Sequence, residues 1–476
     1  MGATVRRNSL NLAILKLSGL FGGLQVTGIL CSVVRSKLVA VWIGAAGMGL
    51  FGIFNTAIEM ICSLSMFGLR ESAVRNIAQA DASSLPKIVK VVRRWAMMLG
   101  VVGMLLTLCC SGLLSRISFD TTSYTWAFAL LSIIVFTNVM NGGESAVFQG
   151  LRRYRKLAYC SMAGTIGGLA VSVPMFYYWR IDSVVPSIMA YGIITWLAMG
   201  VYRERVDGPD EELSLKATVD IGRKMLSLGF YLTVTGFVAN AISYVMMAYL
   251  NNYAGTDAAG YYQAGFTLVN RYVGLVFTAI SMEYYPRLSA VAAHRRRVAT
   301  YVTNQLFIAM SMLVPVVTVF ICCSDFIVKL LYRSDFVVIV PFVIWAAAGT
   351  VFRGISWCMA FVILAKGDGK AYLATETLSG VISVAFNILL FRSLGFAGLG
   401  LAYVLWYLCY TLIVGVVYSR RYGMRISREF WPFGGYSLAM CLGAAWTGVA
   451  VSPYLALPFA VVSAVVSFRV LRRKLM

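Results

Sequence analysis

Apolar runs long enough to cross a lipid bilayer recur along the whole of this chain. A helix needs about 20 apolar residues to span the hydrocarbon core, and fourteen such runs can be placed in the 476 residues. Their approximate bounds are 11–42, 48–69, 95–115, 124–148, 157–178, 184–202, 225–250, 259–285, 302–323, 336–364, 372–391, 396–418, 431–451 and 453–470. With 60% hydrophobic residues and a mean hydropathy of +0.79, the chain is predicted to be an all-α polytopic membrane protein with about 14 transmembrane helices.

Basic residues mark the orientation of these spans. The formal net charge is +22, and a cytoplasmic N-terminus collects most Lys and Arg residues on one side of the membrane. The main tracts on that side are 93–94, 152–156, 203–205, 295–297, 420–428 and 472–474. Since short cytoplasmic loops are enriched in Lys and Arg, we expect a multi-pass membrane protein with both termini in the cytoplasm. Because the excess of positive charge is explained by the orientation of the membrane spans, nucleic acid is not expected as a partner.

A long internal repeat divides the chain. Residues 35–78 recur about 211 residues later in 257–289, with Gly49 and Thr56 matching Gly260 and Thr267. Tyr191 matches Tyr403 at a similar offset. Each copy has an even number of spans, which predicts two six-helix lobes related by a pseudo-two-fold axis along the membrane normal, with a cleft between them. The expected parts are an N-lobe (1–205), a cytoplasmic linker (206–224), a C-lobe (225–420), and helices 13 and 14 with a basic tail (421–476).

Charged and polar residues inside the spans are the candidate site residues. An ionised residue near a helix centre costs about 3 kcal/mol on insertion scales, so it usually faces water or a partner. The charged candidates are Arg35, Lys37, Glu59, Arg271 and Arg353. Polar stripes at helical spacing accompany them in three spans: Thr267, Arg271, Gly274, Thr278 and Ser281; Asn138, Asn141, Ser145 and Gln149; Asn55, Glu59 and Ser63. These stripes fit either a hydrophilic cleft or close packing with hydrogen bonds between helices.

Four segments carry a resemblance to a known family. They are SKLVAVWIGAAGMGLFG, GLRESAVRNIA, YYQAGFTLVNRYVGLVFTAISMEYYPRLS and LAKGDGKAYL, in that order. Together they resemble the Wzx-type oligosaccharide flippases of the multidrug/oligosaccharidyl-lipid/polysaccharide (MOP) exporter superfamily, whose lobes are MATE-like. The resemblance implies alternating-access export of an undecaprenyl-pyrophosphate-linked oligosaccharide to the periplasmic leaflet, for O-antigen or lipopolysaccharide-type surface polysaccharide. It implies membrane lipids, a polysaccharide polymerase and chain-length machinery as partners. A multidrug and toxin extrusion antiporter and a lipid II flippase are the alternatives.

A basic cavity suits such a cargo. Guanidinium groups form two-point contacts with phosphate oxygens, so Arg35, Arg271 and Arg353 are the predicted diphosphate-binding residues. Arg35 is preferred to Lys37 because lipid II flippases have an arginine at the corresponding position. Their helix 2 arginine has no match near Glu59, which favours a glycan other than the peptidoglycan precursor. Asn138, Asn141 and Asn270 are expected to line the same glycan cavity. Glu59 is the candidate for ion coupling.

No feature of the sequence indicates catalysis. The extracytoplasmic loops are short, and the sequence contains no Gly-rich phosphate loop, Ser-His-Asp set or CxxC pair. A membrane-bound polymerase or glycosyltransferase would need such features. We therefore expect a transporter without catalytic residues, metal or cofactor.

Overall fold

A computed structural model describes residues 28–81, 83–206, 214–226 and 230–475, and every regular element in them is helical. In chain order the helices are α1 (28–42), α2 (Gly44–Met66), α3 (Leu69–Gln79), α4 (Leu85–Phe119), α5 (Thr125–Gly150), α6 (Tyr154–Trp179), α7 (Val184–Val201), α8 (Leu215–Leu226), α9 (Phe230–Ala254), α10 (Thr256–Thr267), α11 (Gly274–Ala290), α12 (Arg295–Cys322), α13 (Ser324–Leu331), α14 (Val340–Ala365), α15 (Gly369–Val416), α16 (Phe430–Ala450) and α17 (Leu457–Leu475).

The spans predicted from the sequence are helical wherever the structure describes them. Among the described residues, nine helical segments are long and apolar enough to cross a membrane. Tyr154–Val201 has 48 residues and Gly369–Arg421 has 53, which at about 1.5 Å per residue is enough for two crossings each. The first breaks near Arg180 (φ 46°) and the second at Gly395 (φ 59°). Those breaks separate the predicted pairs of spans, and the all-α polytopic fold is confirmed.

The predicted polar linker is partly helical. From residue 215 onward the predicted linker forms α8, in which Ala217 and Ile221, one helical turn apart, pack against a buried apolar cluster that includes Val89 and Val92. The indole Nε1 of Trp95 also donates to the carbonyl oxygen of Thr218 at 2.9 Å. These contacts hold α8 against α4. The first part of the linker, 207–213, lies outside the described residues, as does 1–27, where the first predicted span begins.

Residue contacts divide the chain into two compact units, Met1–Ala259 and Gly260–Met476. In the first unit, α9 packs along α2 and α4. The hydroxyls of Tyr244 and Ser118 are hydrogen-bonded at 2.7 Å, and Asn251 Nδ2 donates to the Ser118 carbonyl oxygen at 2.7 Å. Helix α9 was predicted to open the C-lobe (225–420) but groups with the first unit because of this packing. The lobes defined by the repeat stay a prediction.

Small residues set the packing of α14 on α15 in the second unit. A Cβ atom added at Gly349 would come within 2.9 Å of the Tyr403 ring, and one at Gly400 would come within 2.7 Å of the Phe342 carbonyl oxygen. Larger side chains at these two glycines would therefore separate the helices. The close approach brings Tyr403 to the face of α14 that carries Arg353.

Candidate functional site

Arg353 on α14 is the centre of a polar cluster inside the second unit. Its Nη1 donates to Asn270 Oδ1 at 2.5 Å and to the Tyr403 hydroxyl at 3.1 Å. The guanidinium carbon lies 5.2 Å from the ring centroid of Phe277 and 5.7 Å from that of Tyr407. In the part of the chain that the structure describes, these partners are all neutral, so they orient the cation without cancelling its charge.

Asn270 reaches Arg353 from an irregular turn. Residues Leu268–Val273 form a π-helical segment between α10 and α11, a distortion that is frequent at functional sites. The Asn270 amide donates to the carbonyl oxygen of Phe266 at 3.1 Å, which leaves its Oδ1 directed at Arg353. The predicted span 259–285 is therefore helical throughout, with a π-helical turn inside it.

Arg271 lies in the same π-helical segment, and its side chain is exposed. The regular 4-3-4-3 stripe predicted through Arg271 assumed an uninterrupted α-helix, and the π-helical turn changes the spacing within it. The side chains of Thr278 and Ser281, at the far end of that stripe, lie outside the described part of the structure.

An aromatic ladder on the second half of α15 extends the Arg353 cluster. The ring centroids of Tyr403 and Tyr407 are 4.7 Å apart, and those of Trp406 and Tyr407 are 4.4 Å apart. At the far end of the ladder, the hydroxyl of Tyr410 donates to Glu376 on the first half of the same kinked helix. Sequence reasoning missed Glu376, although it is the single acid in the predicted span 372–391 and shares a helix face with Ser379, Ser383 and Asn387.

Arg35 on α1 has an aromatic environment inside the first unit. Its guanidinium carbon lies 4.2 Å from the ring centroid of Phe51 and 4.5 Å from that of Tyr191, both within the range of a cation–π interaction. Tyr191 is in turn within 3.5 Å of the Thr165 hydroxyl. Lys37, two residues further along α1, is exposed.

The other predicted site residues have different neighbours. Asn138 is half-buried on α5 and lies close to the thiol of Cys62. Asn141 lines a cavity of about 110 Å³ in the first unit, together with Glu144 and Trp196. Glu59 has an exposed side chain, and its backbone carbonyl oxygen lies 3.5 Å from Asn240 Nδ2. Of the predicted residues, the structure thus brings Asn270 and Arg353 into direct contact.

The described residues thus form bilayer-length helices, two of them kinked, with arginines held by amide and aromatic side chains within each unit. The fold is similar to an inward-facing multidrug-resistance MATE transporter of the MOP superfamily (TM-score 0.67, 13% identity, covering 84% of this chain and 94% of that one). It is equally similar to the lipid II flippase MurJ in an inward closed conformation (TM-score 0.66, 13% identity, covering 97% and 99%). These likenesses confirm the predicted superfamily fold.

The chain belongs to the polysaccharide biosynthesis protein family, whose model matches residues 39–341. It is also 21% identical over 387 residues to the lipid III flippase of Escherichia coli K12, covering 80% of this chain and 92% of that protein. The lipid III flippase of Shigella flexneri matches to the same extent. The family model therefore shows the polysaccharide biosynthesis family, and the structural likenesses show a fold like that of MOP-superfamily transporters.

Proposed function

We propose that this protein is a flippase for a lipid-linked oligosaccharide. It would carry an undecaprenyl-pyrophosphate-linked repeat unit from the cytoplasmic to the periplasmic leaflet by alternating access, as a Wzx-type step in O-antigen-like surface polysaccharide synthesis. Membership of the polysaccharide biosynthesis family and the likeness to lipid III flippases support this proposal. The cargo class rests on one observation in the structure: the described side chains that contact the Arg353 guanidinium are all neutral.

A guanidinium among neutral partners inside membrane-spanning helices favours an anionic ligand. Asn270 and Tyr403 occupy donor sites on Nη1 of Arg353, while the two aromatic rings cover its faces. A fixed cation in a low-dielectric site is costly until an anion or water reaches it. A diphosphate supplies two charged groups whose oxygens match the planar fork of arginine.

The remaining site residues receive roles within the same proposal. Arg35, held against two aromatic rings, and Arg271, exposed on the π-helical turn, would provide further contacts with the diphosphate. Asn138 and Asn141 would offer amide groups to sugar hydroxyls. Glu59 would be the coupling acid.

The setting of the proposed transport step follows from the positive-inside rule. The protein would lie in the bacterial inner membrane with both termini in the cytoplasm. The flipped repeat unit would pass to a polysaccharide polymerase and its chain-length machinery. In this role the protein moves its substrate without changing a covalent bond, so it is not an enzyme.

Export of a lipid-linked repeat unit in cells that lack their own flippase tests this function. We expect the wild-type chain to restore surface glycan, Arg353→Ala to abolish it at wild-type protein levels, and Arg353→Lys to retain part of it. Arg333→Ala is the matched control, since Arg333 is an exposed loop residue that faces Asp335 at 3.6 Å.

Two results would overturn the proposal. One is normal glycan export by Arg353→Ala. The other is failure of the wild-type chain to export any lipid-linked glycan while it expels a cationic dye, which would identify a drug extruder with the same fold.

A further inference from the structure

An open pocket of about 580 Å³ lies in the second unit where three membrane spans end. Its lining consists of Ala292, Ala293, Ala365, Lys366, Asp368 and Tyr422. The pocket sits between the start of α12, the end of α14 and the start of α15. Helices that cross a bilayer end at the level of the lipid head groups, so the pocket opens at that level. The three alanines contribute small, apolar side chains to its lining.

The cations around this pocket outnumber the acid. Arg421 Nε lies 2.7 Å from Asp368 Oδ2, while the Lys366 ammonium lies 5.3 Å from the Tyr422 ring centroid. Arg295 contacts the backbone of Gly423, where an added Cβ atom would come within 2.7 Å of its Nη2. Arg421 is thus paired with Asp368, while Lys366 lines the same pocket and Arg295 lies beside Gly423, which leaves an excess of positive charge.

Tyr422 and Asp368 form a fixed wall of the pocket. The Tyr422 hydroxyl donates to Asp368 Oδ2 at 2.9 Å, and the backbone N–H of Ala371 donates to Asp368 Oδ1 at 3.2 Å. Burial opposes ionisation of Asp368, but these donors and Arg421 outweigh it and lower its pKa. Burial and the bond to Asp368 raise the pKa of Tyr422 to about 12. Both groups therefore keep one charge state across physiological pH.

The Lys366 ammonium and the N-terminus of α12 both have groups that can bind an anion. The ammonium group of Lys366 donates to the carbonyl oxygen of Ala292 at 3.1 Å, which uses one of its three N–H donors. Helix α12 begins with three arginines, Arg295–Arg297, and has neither an acidic residue in its first turn nor a side-chain cap. Cations at a helix N-terminus oppose the helix dipole, and a bound anion there would relieve that repulsion.

We propose that this pocket binds the phosphate of an anionic phospholipid head group, with Lys366 and Arg421 as its principal cations. A basic pocket at the end of membrane spans is the expected receptor for such a head group, and Tyr422 is a residue type that favours the membrane interface. The ligand is a phosphodiester, and the alternative source of the same chemistry is a free or substrate-borne diphosphate. This site is separate from Arg353 and does not depend on the proposed flippase function.

Binding of short-chain lipid to the purified full-length protein tests the site. Dihexanoyl phosphatidylglycerol is titrated in detergent, with dihexanoyl phosphatidylcholine as the neutral lipid, and the melting temperature reports binding. We expect phosphatidylglycerol alone to stabilise the protein, and Lys366→Gln to weaken its binding by about tenfold, since one charge-assisted contact is lost. Lys366→Arg should bind nearly as well as the wild type, and added salt should weaken binding.

Arg155→Gln is the matched control, because Arg155 is an exposed basic residue at the start of α6 in the first unit and the change in charge is identical. Wild-type binding by this variant supports a specific pocket. The proposal is overturned if Lys366→Gln binds like the wild type, or if Arg155→Gln loses as much affinity. Inorganic pyrophosphate forms the last arm: equal, Lys366-dependent stabilisation by pyrophosphate would overturn the head-group assignment in favour of a diphosphate site. Export is not measured, so failure here leaves the flippase proposal unaffected.

Discussion

The Nη1 atom of Arg353 lies 3.1 Å from the hydroxyl of Tyr403, the tyrosine that matches Tyr191 in the internal repeat. Tyr191 also contacts an arginine, because its ring centroid lies 4.5 Å from the guanidinium carbon of Arg35. The two arginines come from non-equivalent helices, α14 and α1. Corresponding tyrosines therefore orient a cation in each unit, although the cations themselves are not repeated.

The hydroxyl of Tyr403 is expected to position Arg353. Tyr403→Phe keeps the ring and removes one hydrogen bond to a charged group, which is worth about 1.5–3 kcal/mol. We expect glycan export to fall about tenfold or more at unchanged protein level. The control is Tyr407→Phe, which leaves the cation–π contact with Arg353 in place. Equal export by Tyr403→Phe and the wild type would show that the bond does not matter for transport.

The ring of Tyr191 is expected to matter more than its hydroxyl. Its contact with Arg35 is a cation–π interaction, worth about 0.5–2 kcal/mol, while the hydroxyl is only at the limit of hydrogen bonding with Thr165. Tyr191→Phe should therefore export normally, and Tyr191→Leu should lose roughly two- to thirtyfold in rate. The opposite order would mean that the hydroxyl, rather than the ring, holds Arg35.

Two acids can be compared as coupling groups. Glu59 is exposed in the first unit, whereas Glu376 is partly buried and accepts a hydrogen bond from Tyr410. If Glu59 couples export to protons, Glu59→Gln should weaken transport less at low external pH than at high pH. Export rates of Glu59→Gln and Glu376→Gln across external pH measure this. Unchanged activity of Glu59→Gln at every pH, together with an altered profile for Glu376→Gln, would transfer the coupling role to Glu376.

Hydrogen bonds at the end of α9 should stabilise the first unit. Asn251 is buried and donates to the Ser118 carbonyl oxygen at 2.7 Å, while the exposed Asn252 donates to that of Ile117 at 2.8 Å. Bonds between membrane helices contribute about 0.6–1.7 kcal/mol, so Asn251→Ala should lower the melting temperature in detergent by about 1–4 °C. Asn252→Ala is the matched control and should lower it less. A larger loss in Asn252→Ala would show that burial does not set the strength of these bonds.

The Asp368 cluster should confer stability that depends on pH in one direction. The pKa of the Asp368 carboxyl is lowered from the ordinary value of 3.8, so this carboxyl binds a proton less readily in the folded state than in the unfolded state. The stabilisation is therefore complete above that ordinary value and is lost as the pH falls through the lowered one. We expect Asp368→Asn to reduce the free energy of unfolding by a constant amount between about pH 5 and 8. Denaturant titrations of both proteins at pH 3 and 7 should show a smaller difference at pH 3, and an equal or larger difference would contradict the assignment.

The sequence by itself determined the class of protein and most of its helices. Bilayer-length apolar runs leave the backbone no alternative to helices in lipid, so spans such as 124–148 and 396–418 coincide closely with helical segments of the structure. The repeat and the family resemblance depend on residue identity along the chain. They pointed correctly to the MOP superfamily fold.

Only the tertiary structure decided which polar residues meet. Helical periodicity placed Arg271 in a regular stripe, but the π-helical turn at Leu268–Val273 turns Asn270 toward Arg353, and no local pattern encodes that rotation. Glu376 was missed because its partner Tyr410 lies 34 residues away, beyond the kink at Gly395. Such contacts depend on how helices pack through glycines like Gly349 and Gly400. Hydropathy specifies which segments enter the membrane, whereas packing specifies which faces of those segments come together.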